Sequence, residues 1–307
     1  MSKPIKYGIV GAGHLGNYHA QQLKKISCVK LIGVFDLDLK KSSLFSKSYK
    51  IKYFKSLKNL LNECDAVSIT SPATAHHKNA IEGLNWGCHL FIEKPFTKNI
   101  KEAKAIMSLE KKLGLKIQVG HIERFNAAFT RYMKYKKDPV FIESHRLCAY
   151  NERGLDVDVI LDLMIHDIDL ILTINPYKIK SIHASGSKIL TESLDMANAR
   201  IEFINNVTAN LTASRISLKQ MRQMRVFEKA SYNVLDFQKQ SLNKWCVKNG
   251  SFQEKKINAV PTNALFDELL MFIDCINNNS KTQVGTKEGF QALKIASSIQ
   301  KTIEKKQ

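Results

Sequence analysis

The feature that most constrains this chain is a glycine-rich turn directly after a short apolar segment. Residues 5–10 read as a buried strand, and G-x-G-x-x-G follows as Gly11, Gly13 and Gly16. In such a turn the first glycine permits tight turning, the second lets the backbone approach a pyrophosphate, and the third lets the next helix pack on its strand. The pattern predicts a strand, a phosphate-binding turn and a helix that begins near His14.

An acidic residue completes this motif. Asp36 closes the apolar run 31–35, where a carboxylate can accept hydrogen bonds from both ribose hydroxyls of an adenosine. Its charge repels a 2′-phosphate, and residues 37–39 contain no Arg or Lys that would attract one. We therefore predict NAD rather than NADP as the cofactor. The predicted binding residues of this part are Gly11, Gly13, His14, Leu15, Gly16 and Asp36.

The order of apolar runs predicts the fold class. Up to residue 119, short apolar runs alternate with amphipathic segments, which is typical of a parallel sheet with crossover helices. From residue 179 to residue 237, successive runs rich in β-branched residues indicate an antiparallel sheet, and two helices then close the chain. We predict an α/β protein with a doubly wound parallel sheet in residues 1–121 and a second α/β domain with a large, mostly antiparallel sheet in residues 122–307.

The composition excludes several other classes of protein. The net charge of +19 would suit nucleic acid, but the excess is mostly lysine spread along the chain, so we expect no specific nucleic-acid binding. No apolar run approaches the ~20 residues of a membrane span, and no signal peptide precedes the first strand, so we expect a cytoplasmic protein without membrane contact. The six cysteines lack metal-like spacing, so we predict no metal site.

A lysine lies where ligands bind in this class of sheet. Glu93, Lys94 and Pro95 follow an apolar run and are expected at the carboxyl edge of the parallel sheet. A lysine held there can donate a hydrogen bond to a substrate hydroxyl. Taken alone, a lysine before a proline is more often a solvated loop residue.

Two further segments carry polar side chains suited to a site. Asp162 and His166 are four residues apart, on one face of an expected helix, so the carboxylate can orient the imidazole. Such a pair is also often a structural hydrogen bond. Ser71 and Pro72 follow a strand and are expected near the nicotinamide ribose, whereas His76 is either part of that site or only a surface residue.

Taken together, these segments resemble the Gfo/Idh/MocA oxidoreductase family over nearly the whole chain. Four motifs carry the resemblance: Gly11 to Gly16 with His19, residues 65–72 with His76, Glu93-Lys94-Pro95, and Asp162 with His166 and Asp169. It implies a Rossmann domain that holds the cofactor also through Glu93 and Lys94, and a second domain with an open sheet for substrate binding and assembly into homodimers or homotetramers. It also implies a cis bond between Lys94 and Pro95.

The implied activity is NAD(P)-dependent oxidation or reduction of a sugar or cyclitol hydroxyl. Lys94, Asp162 and His166 are the implied catalytic residues. His166 would remove the hydroxyl proton, Asp162 would stabilise the imidazolium, and Lys94 would polarise the oxygen; the proton roles of Lys94 and His166 are interchangeable. The family usually has glycine where Met164 stands, so this methionine either narrows the pocket or changes how the helix begins.

Residues 119–126 and 161–169 place the chain nearest to the branch of this family with UDP-N-acetylglucosamine 3-dehydrogenases. This resemblance implies oxidation of a UDP-linked amino sugar at C3 in surface-glycan or lipid A biosynthesis. Five arginines could supply a diphosphate clamp, since guanidinium pairs phosphate bidentately: Arg124, Arg146, Arg215, Arg222 and Arg225.

Two alternatives stay open. The first is a small polyol or cyclitol dehydrogenase of the same family, which would lack affinity for a UDP group. The second is a non-catalytic regulator that senses NAD through the same fold. That alternative predicts loss of the lysine and histidine, whereas Lys94 and His166 are both present.

Overall fold

The chain folds into two compact units. The computed structural model describes residues 3–151, 156–248 and 250–306. The first unit runs to His121 and also contains Leu265–Phe290, and the second contains Ile122–Ala264 and the chain from Gln291 onward. The sequence predicts that every residue after 121 lies in the second domain, whereas Leu265–Phe290 packs with the first unit.

The first unit is built on a six-stranded parallel sheet in the order β3-β2-β1-β4-β5-β6. Its strands are β1 (Ile5–Val10), β2 (Val29–Phe35), β3 (Lys52–Tyr53), β4 (Ala66–Ile69), β5 (His89–Glu93) and β6 (Ile117–Gly120). The helices between them are α1 (His14–Leu23), α2 (Leu39–Tyr49), α3 (Leu57–Leu61), α4 (Ala73–Asn85) and α5 (Ile100–Leu113). The strand order reverses between β1 and β4, and such a reversal is where ligands bind in doubly wound sheets.

A helix from the last part of the chain completes the core of the first unit. In α8 (Ala264–Asn277), the buried residues Leu269, Phe272 and Ile273 follow the i, i+3, i+4 spacing of a helix face. They belong to the same core cluster as Phe91 of β5, and the rings of Phe91 and Phe272 are 6.0 Å apart. This apolar stripe explains why the segment joins the first unit.

The second unit contains an eight-stranded sheet in the order β14-β13-β12-β11-β7-β10-β9-β8. Its strands are β7 (Pro139–Leu147), β8 (Ile179–Ser187), β9 (Met196–Phe203), β10 (Thr208–Ser214), β11 (Met221–Glu228), β12 (Ser231–Asp236), β13 (Ser241–Lys248) and β14 (Ser251–Ile257). All neighbours pair antiparallel except β7 and β10. The predicted fold class, a doubly wound parallel sheet with a large, mostly antiparallel sheet, is confirmed.

The second unit also has short helices at the start of its chain and before β8. They are a 3-10 helix (Ile122–Phe125), α6 (Ala127–Met133), a π-helix (Ile160–Met164) and α7 (Ile165–Ile174). The chain ends in α9 (Thr286–Glu304). Contacts of α6 with β12 and β13, and of α7 with β7 and β10, cover one face of the sheet.

The strands β13 and β14 were not predicted from the sequence. They form one end of the sheet, and β14 is exposed along almost its whole length. Residues 253–256 of β14 are Gln, Glu, Lys and Lys, so no alternation of apolar and polar residues marks the strand. Charged side chains are typical of edge strands, because they discourage pairing with other chains.

Membrane-spanning helices and metal-binding clusters are both absent from the described part of the chain. In that part, no helix is both long and apolar enough to cross a membrane. No group of three or more His, Cys, Asp or Glu side chains among the same residues is arranged to hold a metal ion. The six cysteines are all free thiols.

We expect Phe272→Ala to destabilise the first unit, because it removes a fully buried ring that contacts the ring of Phe91. Truncation of a buried phenylalanine typically costs about 3–5 kcal/mol. Met271 is 39% exposed on the same helix, and Met271→Ala should change the free energy of unfolding by less than about 0.5 kcal/mol. Denaturant unfolding measures both variants, and equal effects would contradict the assignment of α8 to this core.

Candidate active site

The glycine-rich turn lies between β1 and α1, at the carboxyl edge of the parallel sheet. Gly11 has a φ of 112°, which side chains rarely adopt, and a Cβ there would lie 2.8 Å from the backbone nitrogen of Ser71. A Cβ on Gly16 would overlap the carbonyl oxygen of Gly11. The turn itself therefore requires both glycines, since a larger residue would push the helix away from the strand.

Gly13 serves a different purpose from these two glycines. A Cβ at Gly13 would meet no atom within 4 Å among the described residues, its chain neighbours aside, so the glycine keeps open the space beside the backbone. It is the N-cap residue of α1, and His14 and Leu15 after it are exposed. The first N–H groups of a helix lack intrahelical partners and carry partial positive charge, which suits a pyrophosphate in this open space.

Asp36 is fixed beside the turn by two backbone donors. Its carboxylate accepts hydrogen bonds from the N–H of Ala12, at 2.8 Å, and from the N–H of Asp38, at 2.9 Å. The side chain remains half-buried at the end of β2. The open backbone at Gly13 and a carboxylate held beside it together fit the pyrophosphate and the adenosine ribose of NAD.

The segment after β4 lies against the same turn. The hydroxyl of Thr70 donates to the carbonyl oxygen of Gly11 at 3.0 Å. Ser71 is half-buried and accepts a hydrogen bond from the amide of Asn79 at 3.0 Å, and Pro72 is exposed at the start of α4. These contacts tie the end of β4 to the end of β1.

β5 ends in a buried carboxylate that precedes the candidate catalytic lysine. Glu93 is 8% exposed and accepts a hydrogen bond from Nε2 of His19 at 2.8 Å. Burial by itself raises the pKa of Glu93, but the hydrogen bond and charge of His19 and the charges of Lys94 and His76 hold it below its ordinary value. The buried carboxylate therefore fixes the backbone at the end of β5. Lys94 follows it half-buried, and the cis bond between Lys94 and Pro95 is confirmed.

His76 is 1% exposed, so the interpretation of a surface residue is wrong. Its Nδ1 lies 2.8 Å from the carbonyl oxygen of Pro95, and its Nε2 lies 2.9 Å from the carbonyl oxygen of Ser71. The ring thus bridges the segments that follow β4 and β5.

The first unit brings the predicted cofactor residues to one edge. β2, β1, β4 and β5 are consecutive neighbours in the sheet, and parallel strands end at the same edge. The residues at or beside these strand ends are Gly11, Gly13, His14, Leu15, Gly16, Asp36, Ser71, Pro72, His76, Glu93 and Lys94. Their contacts with a cofactor stay a prediction.

Asp162 and His166 lie in the second unit, where a π-helix meets α7. The sequence predicted one continuous α-helix here, but Asp162 is in the π-helical turn and His166 is in the first turn of α7. Both side chains are half-buried, whereas most of their neighbours are fully buried. π-Helical turns are rare and occur often at functional sites. Met164 is completely buried and is the last residue of the π-helical turn, directly before α7.

A buried ion pair fixes the residue that follows His166. Arg146 of β7 donates to both carboxylate oxygens of Asp167, at 3.0 and 2.9 Å, and to Glu123 at 2.8 Å. Burial by itself lowers the pKa of Arg146, but the two carboxylates raise it above its ordinary value. The guanidinium therefore stays charged and holds α7 against β7.

A second ion pair holds α7 one half-turn further along. Arg124 donates to both carboxylate oxygens of Asp169, at 2.7 and 2.6 Å. Sequence reasoning did not assign these structural roles, although two aspartates in the otherwise apolar segment of residues 165–174 are a usable signal. Buried carboxylates require a cationic partner.

The structure separates the five arginines considered for a diphosphate clamp. Four of them have partners: Arg124 with Asp169, Arg146 with Asp167 and Glu123, Arg215 with the carbonyl oxygens of Val157 and Leu194, and Arg225 with Glu143. Within the residues that the structure describes, Arg222 forms no side-chain hydrogen bond or ion pair, and it is exposed. Of these five arginines, Arg222 is therefore the one whose guanidinium has no side-chain partner among the described residues.

Arg222 belongs to the same neighbourhood as Asp162. It lies directly opposite Arg146 in the pairing of β11 with β7, so the two side chains are on one face of the sheet. Burial raises the pKa of the Cys148 thiol, and Asp162 raises it further, while Arg222, Arg215 and Arg146 oppose this. Asp162 and Arg222 are therefore both within electrostatic reach of Cys148.

Comparison with known proteins finds two family models along the chain. Residues 5–121 match an oxidoreductase family with an NAD-binding Rossmann fold, and residues 116–230 match the GFO/IDH/MocA C-terminal domain. The chain is 36% identical over 241 residues to a UDP-N-acetylglucosamine 3-dehydrogenase of Acidithiobacillus ferrooxidans, which covers 78% of this chain and 76% of that protein.

Two further relatives show how far the similarity extends. The solved structure of UDP-N-acetylglucosamine 3-dehydrogenase GnnA from Acidithiobacillus ferrooxidans has a TM-score of 0.93 and 31% identity, and covers 99% of both chains. A scyllo-inositol 2-dehydrogenase (NAD(+)) of Bacillus subtilis is 25% identical over 249 residues, or 71% of this chain and 69% of that protein.

We expect Asp36 to decide between NAD and NADP. Hydrogen bonds to a charged group contribute about 1.5–3 kcal/mol, so Asp36→Ala should weaken NAD binding about 10–100-fold. Asp36→Asn removes the charge but keeps an acceptor oxygen for the turn, and it should relax the discrimination against NADP. Calorimetric titration of both cofactors measures these effects. Tighter binding of NADP than of NAD by the wild-type protein would contradict the assignment.

Proposed function

The chain belongs to the Gfo/Idh/MocA oxidoreductase family, and on this premise we propose that it oxidises C3 of a UDP-linked amino sugar in surface-glycan or lipid A biosynthesis. The similarity over most of the chain to a protein named UDP-N-acetylglucosamine 3-dehydrogenase carries this proposal. The exposed guanidinium of Arg222, which has no side-chain partner in the part of the chain that the structure describes, supports the nucleotide part of the proposal.

Family membership confirms the coarser predictions. The matched family is one of oxidoreductases that bind NAD through a Rossmann fold, so the predictions of NAD as cofactor and of a dehydrogenase acting on a CH–OH group are confirmed. A sugar substrate agrees with the relatives named above. The cytoplasmic location stays a prediction.

The proposed mechanism assigns one role to each of three side chains. His166 accepts the proton of the substrate hydroxyl, since an imidazole can change protonation state near neutral pH. Asp162 orients this ring and stabilises the imidazolium that forms. Lys94 donates a hydrogen bond to the oxygen on which negative charge develops, and the proton roles of Lys94 and His166 are interchangeable. When bound, NAD supplies the acceptor for the hydride that leaves the substrate carbon.

A UDP group would contribute binding energy away from the reacting carbon. Binding energy from a remote part of the substrate positions the sugar without contacting the reacting atoms. A diphosphate needs a cationic donor that is not already paired with a carboxylate of the protein. Among the described residues, Arg222 meets this condition. We therefore assign the diphosphate contact to Arg222 rather than to a clamp of five arginines.

We also propose that the protein forms homodimers or homotetramers through the second sheet. A row of aromatic rings crosses five neighbouring strands, with centroids 5.2–6.1 Å apart. Its members are Phe141, Phe227, Tyr232, Trp245 and Phe252. None of these five is fully buried, and Phe252 is 54% exposed. Contiguous apolar surface of this kind is typical of protein–protein contacts.

Two alternatives make different demands on the same residues. A small polyol or cyclitol dehydrogenase would need no diphosphate contact and would leave Arg222 without a role. A regulator that only senses NAD would need neither Lys94 nor His166. The presence of all three side chains favours the nucleotide-sugar dehydrogenase.

We expect Lys94→Ala and His166→Ala each to lower kcat about 10²–10⁴-fold, because each removes a group that moves or holds a proton. The double variant should be little worse than the poorer single variant, since members of one catalytic unit are not additive. Lys98→Ala, an exposed lysine in the same loop, is the control and should keep wild-type turnover. The assay follows NADH formation with UDP-N-acetylglucosamine. Folded Lys94→Ala protein with wild-type turnover would disprove the assignment.

We expect free UDP to bind in the presence of NAD and to inhibit competitively with the nucleotide sugar. Arg222→Ala should weaken UDP binding about 10–100-fold, because hydrogen bonds to charged groups contribute about 1.5–3 kcal/mol. Arg225→Ala should leave it unchanged, since this arginine is on the same strand but three residues away, on the opposite face. Calorimetric titration with UDP measures the affinity of the wild-type protein and of both variants.

Two results of that experiment would each remove one part of the proposal. No binding of UDP or UDP-N-acetylglucosamine, together with good turnover of inositol or a free hexose, would make the protein a polyol or sugar dehydrogenase. Tight UDP binding that is equal in wild type and Arg222→Ala would remove only the assignment of the diphosphate contact.

A further inference from the structure

His76 contacts two groups that can only accept hydrogen bonds. Its Nδ1 lies 2.8 Å from the carbonyl oxygen of Pro95, and its Nε2 lies 2.9 Å from the carbonyl oxygen of Ser71. A neutral imidazole has one N–H donor and one lone pair, whereas an imidazolium has two N–H donors. A neutral ring in this place would turn a lone pair towards one of the two carbonyl oxygens. Only the imidazolium satisfies both contacts.

We propose that His76 is an imidazolium in the folded protein and that, in this form, it positions Lys94 by holding the carbonyl groups of Pro95 and Ser71 together. His76 is therefore a positioning residue, since it acts through the backbone next to Lys94. The part of this inference that concerns turnover rests on the proposed function, and the part that concerns protonation does not.

A second buried histidine of the same unit has a partner that can either donate or accept a hydrogen bond. His19 is fully buried, with Nε2 2.8 Å from Glu93 and Nδ1 2.9 Å from the hydroxyl of Ser68. That hydroxyl can donate to Nδ1 while it accepts from the hydroxyl of Tyr7, 2.9 Å away. A single ring proton on Nε2 is therefore enough to pair both ring nitrogens of His19. The two carbonyl oxygens at His76 allow no such arrangement.

A buried cation also needs a negative charge nearby. Glu93 supplies it: burial raises the pKa of this carboxyl, but His19, Lys94 and His76 together hold it below its ordinary value. The anion at the end of β5 therefore favours the charged form of His76, while the positive charge of Lys94 opposes it. On α4 itself, His77 is half-buried and Lys78 is exposed.

Because of the position of His76, its charge affects the backbone beside Lys94. The ring joins the segment that follows β4 to the segment that follows β5, and Lys94 directly precedes one of the two carbonyl groups. Loss of one ring proton would release one of the two hydrogen bonds and loosen the backbone beside Lys94.

The proposal also predicts the direction in which the stability and kcat change with pH. The ordinary pKa of histidine is about 6.5, and a group that is more readily protonated in the folded state stabilises it at low pH. The stabilisation is fully present below about pH 6.5 and is lost as the pH rises through the pKa that His76 has in the folded protein. Both the stability and kcat should therefore decline on the alkaline side.

NMR spectroscopy of the full-length protein with ¹⁵N-labelled histidine tests the protonation state directly. Assignment through bonds in the wild-type protein makes this test independent of whether any variant folds. We expect both ring nitrogens of His76 to carry protons from pH 6 to pH 8, with similar nitrogen shifts. A neutral tautomer at pH 7.5, with a titration midpoint at or below about 6.5, would overturn the proposal.

Matched variants test the positioning role. His76→Gln can donate to only one carbonyl oxygen with its amide, whereas His77→Gln changes the neighbouring residue on the same helix. We expect His76→Gln to lower kcat about 10–100-fold, since small displacements of a catalytic group have effects of this size, and to remove the alkaline decline in stability. His77→Gln should do neither.

The outcomes separate this inference from the proposed function. Folded His76→Gln protein with wild-type kcat and an unchanged pH profile would overturn the positioning role. If the wild-type protein shows no activity with any sugar or cyclitol, the proposed function fails, while the NMR measurement and the pH dependence of stability still decide the charge of His76.

Discussion

The close contact between the start of α1 and the end of β1 is the constraint on which the first unit depends. It exists because Gly16 has no Cβ that would overlap the carbonyl oxygen of Gly11. The ends of the two neighbouring strands are then tied to this turn: Thr70 after β4 donates to Gly11, and Asp36 after β2 accepts from Ala12. A larger residue at Gly16 would therefore disturb the glycine turn, the carboxylate and the β4 segment together, since packed elements transmit strain.

Two of the three candidate catalytic residues, Lys94 and His166, lie directly beside a buried carboxylate. Lys94 follows Glu93, which is bound by an imidazole, and His166 precedes Asp167, which is bound by a guanidinium. Removing one partner of a buried ion pair typically costs about 3–5 kcal/mol, because an uncompensated charge remains. The backbone at each of these two positions is thereby fixed by a charged group that is almost completely buried. The adjacent side chain, Lys94 or His166, stays half-buried.

The same pairing of charges separates Arg222 from the other four arginines considered for the proposed diphosphate contact. Four arginines of the second unit are neutralised by carboxylates or used by carbonyl oxygens within the fold. Their residue type suggested a phosphate site, yet only their partners reveal that they are structural. Arg222 stands out by comparison with them, and it lies in the part of the second unit that contains Asp162. Family membership establishes the class of reaction, and Arg222 is the residue to which we assign the proposed diphosphate contact.

The sequence by itself determined the parallel sheet, its cofactor motif and the identity of the candidate residues, because these depend on spacing within single strand–turn–helix units. It did not determine that α8 joins the first core, that β14 pairs as a charged edge strand, or that a π-helix carries Asp162. Nor did it show that His76 is buried between two carbonyl groups. These features depend on partners far away in the chain, and only the tertiary structure decides which partner a side chain meets.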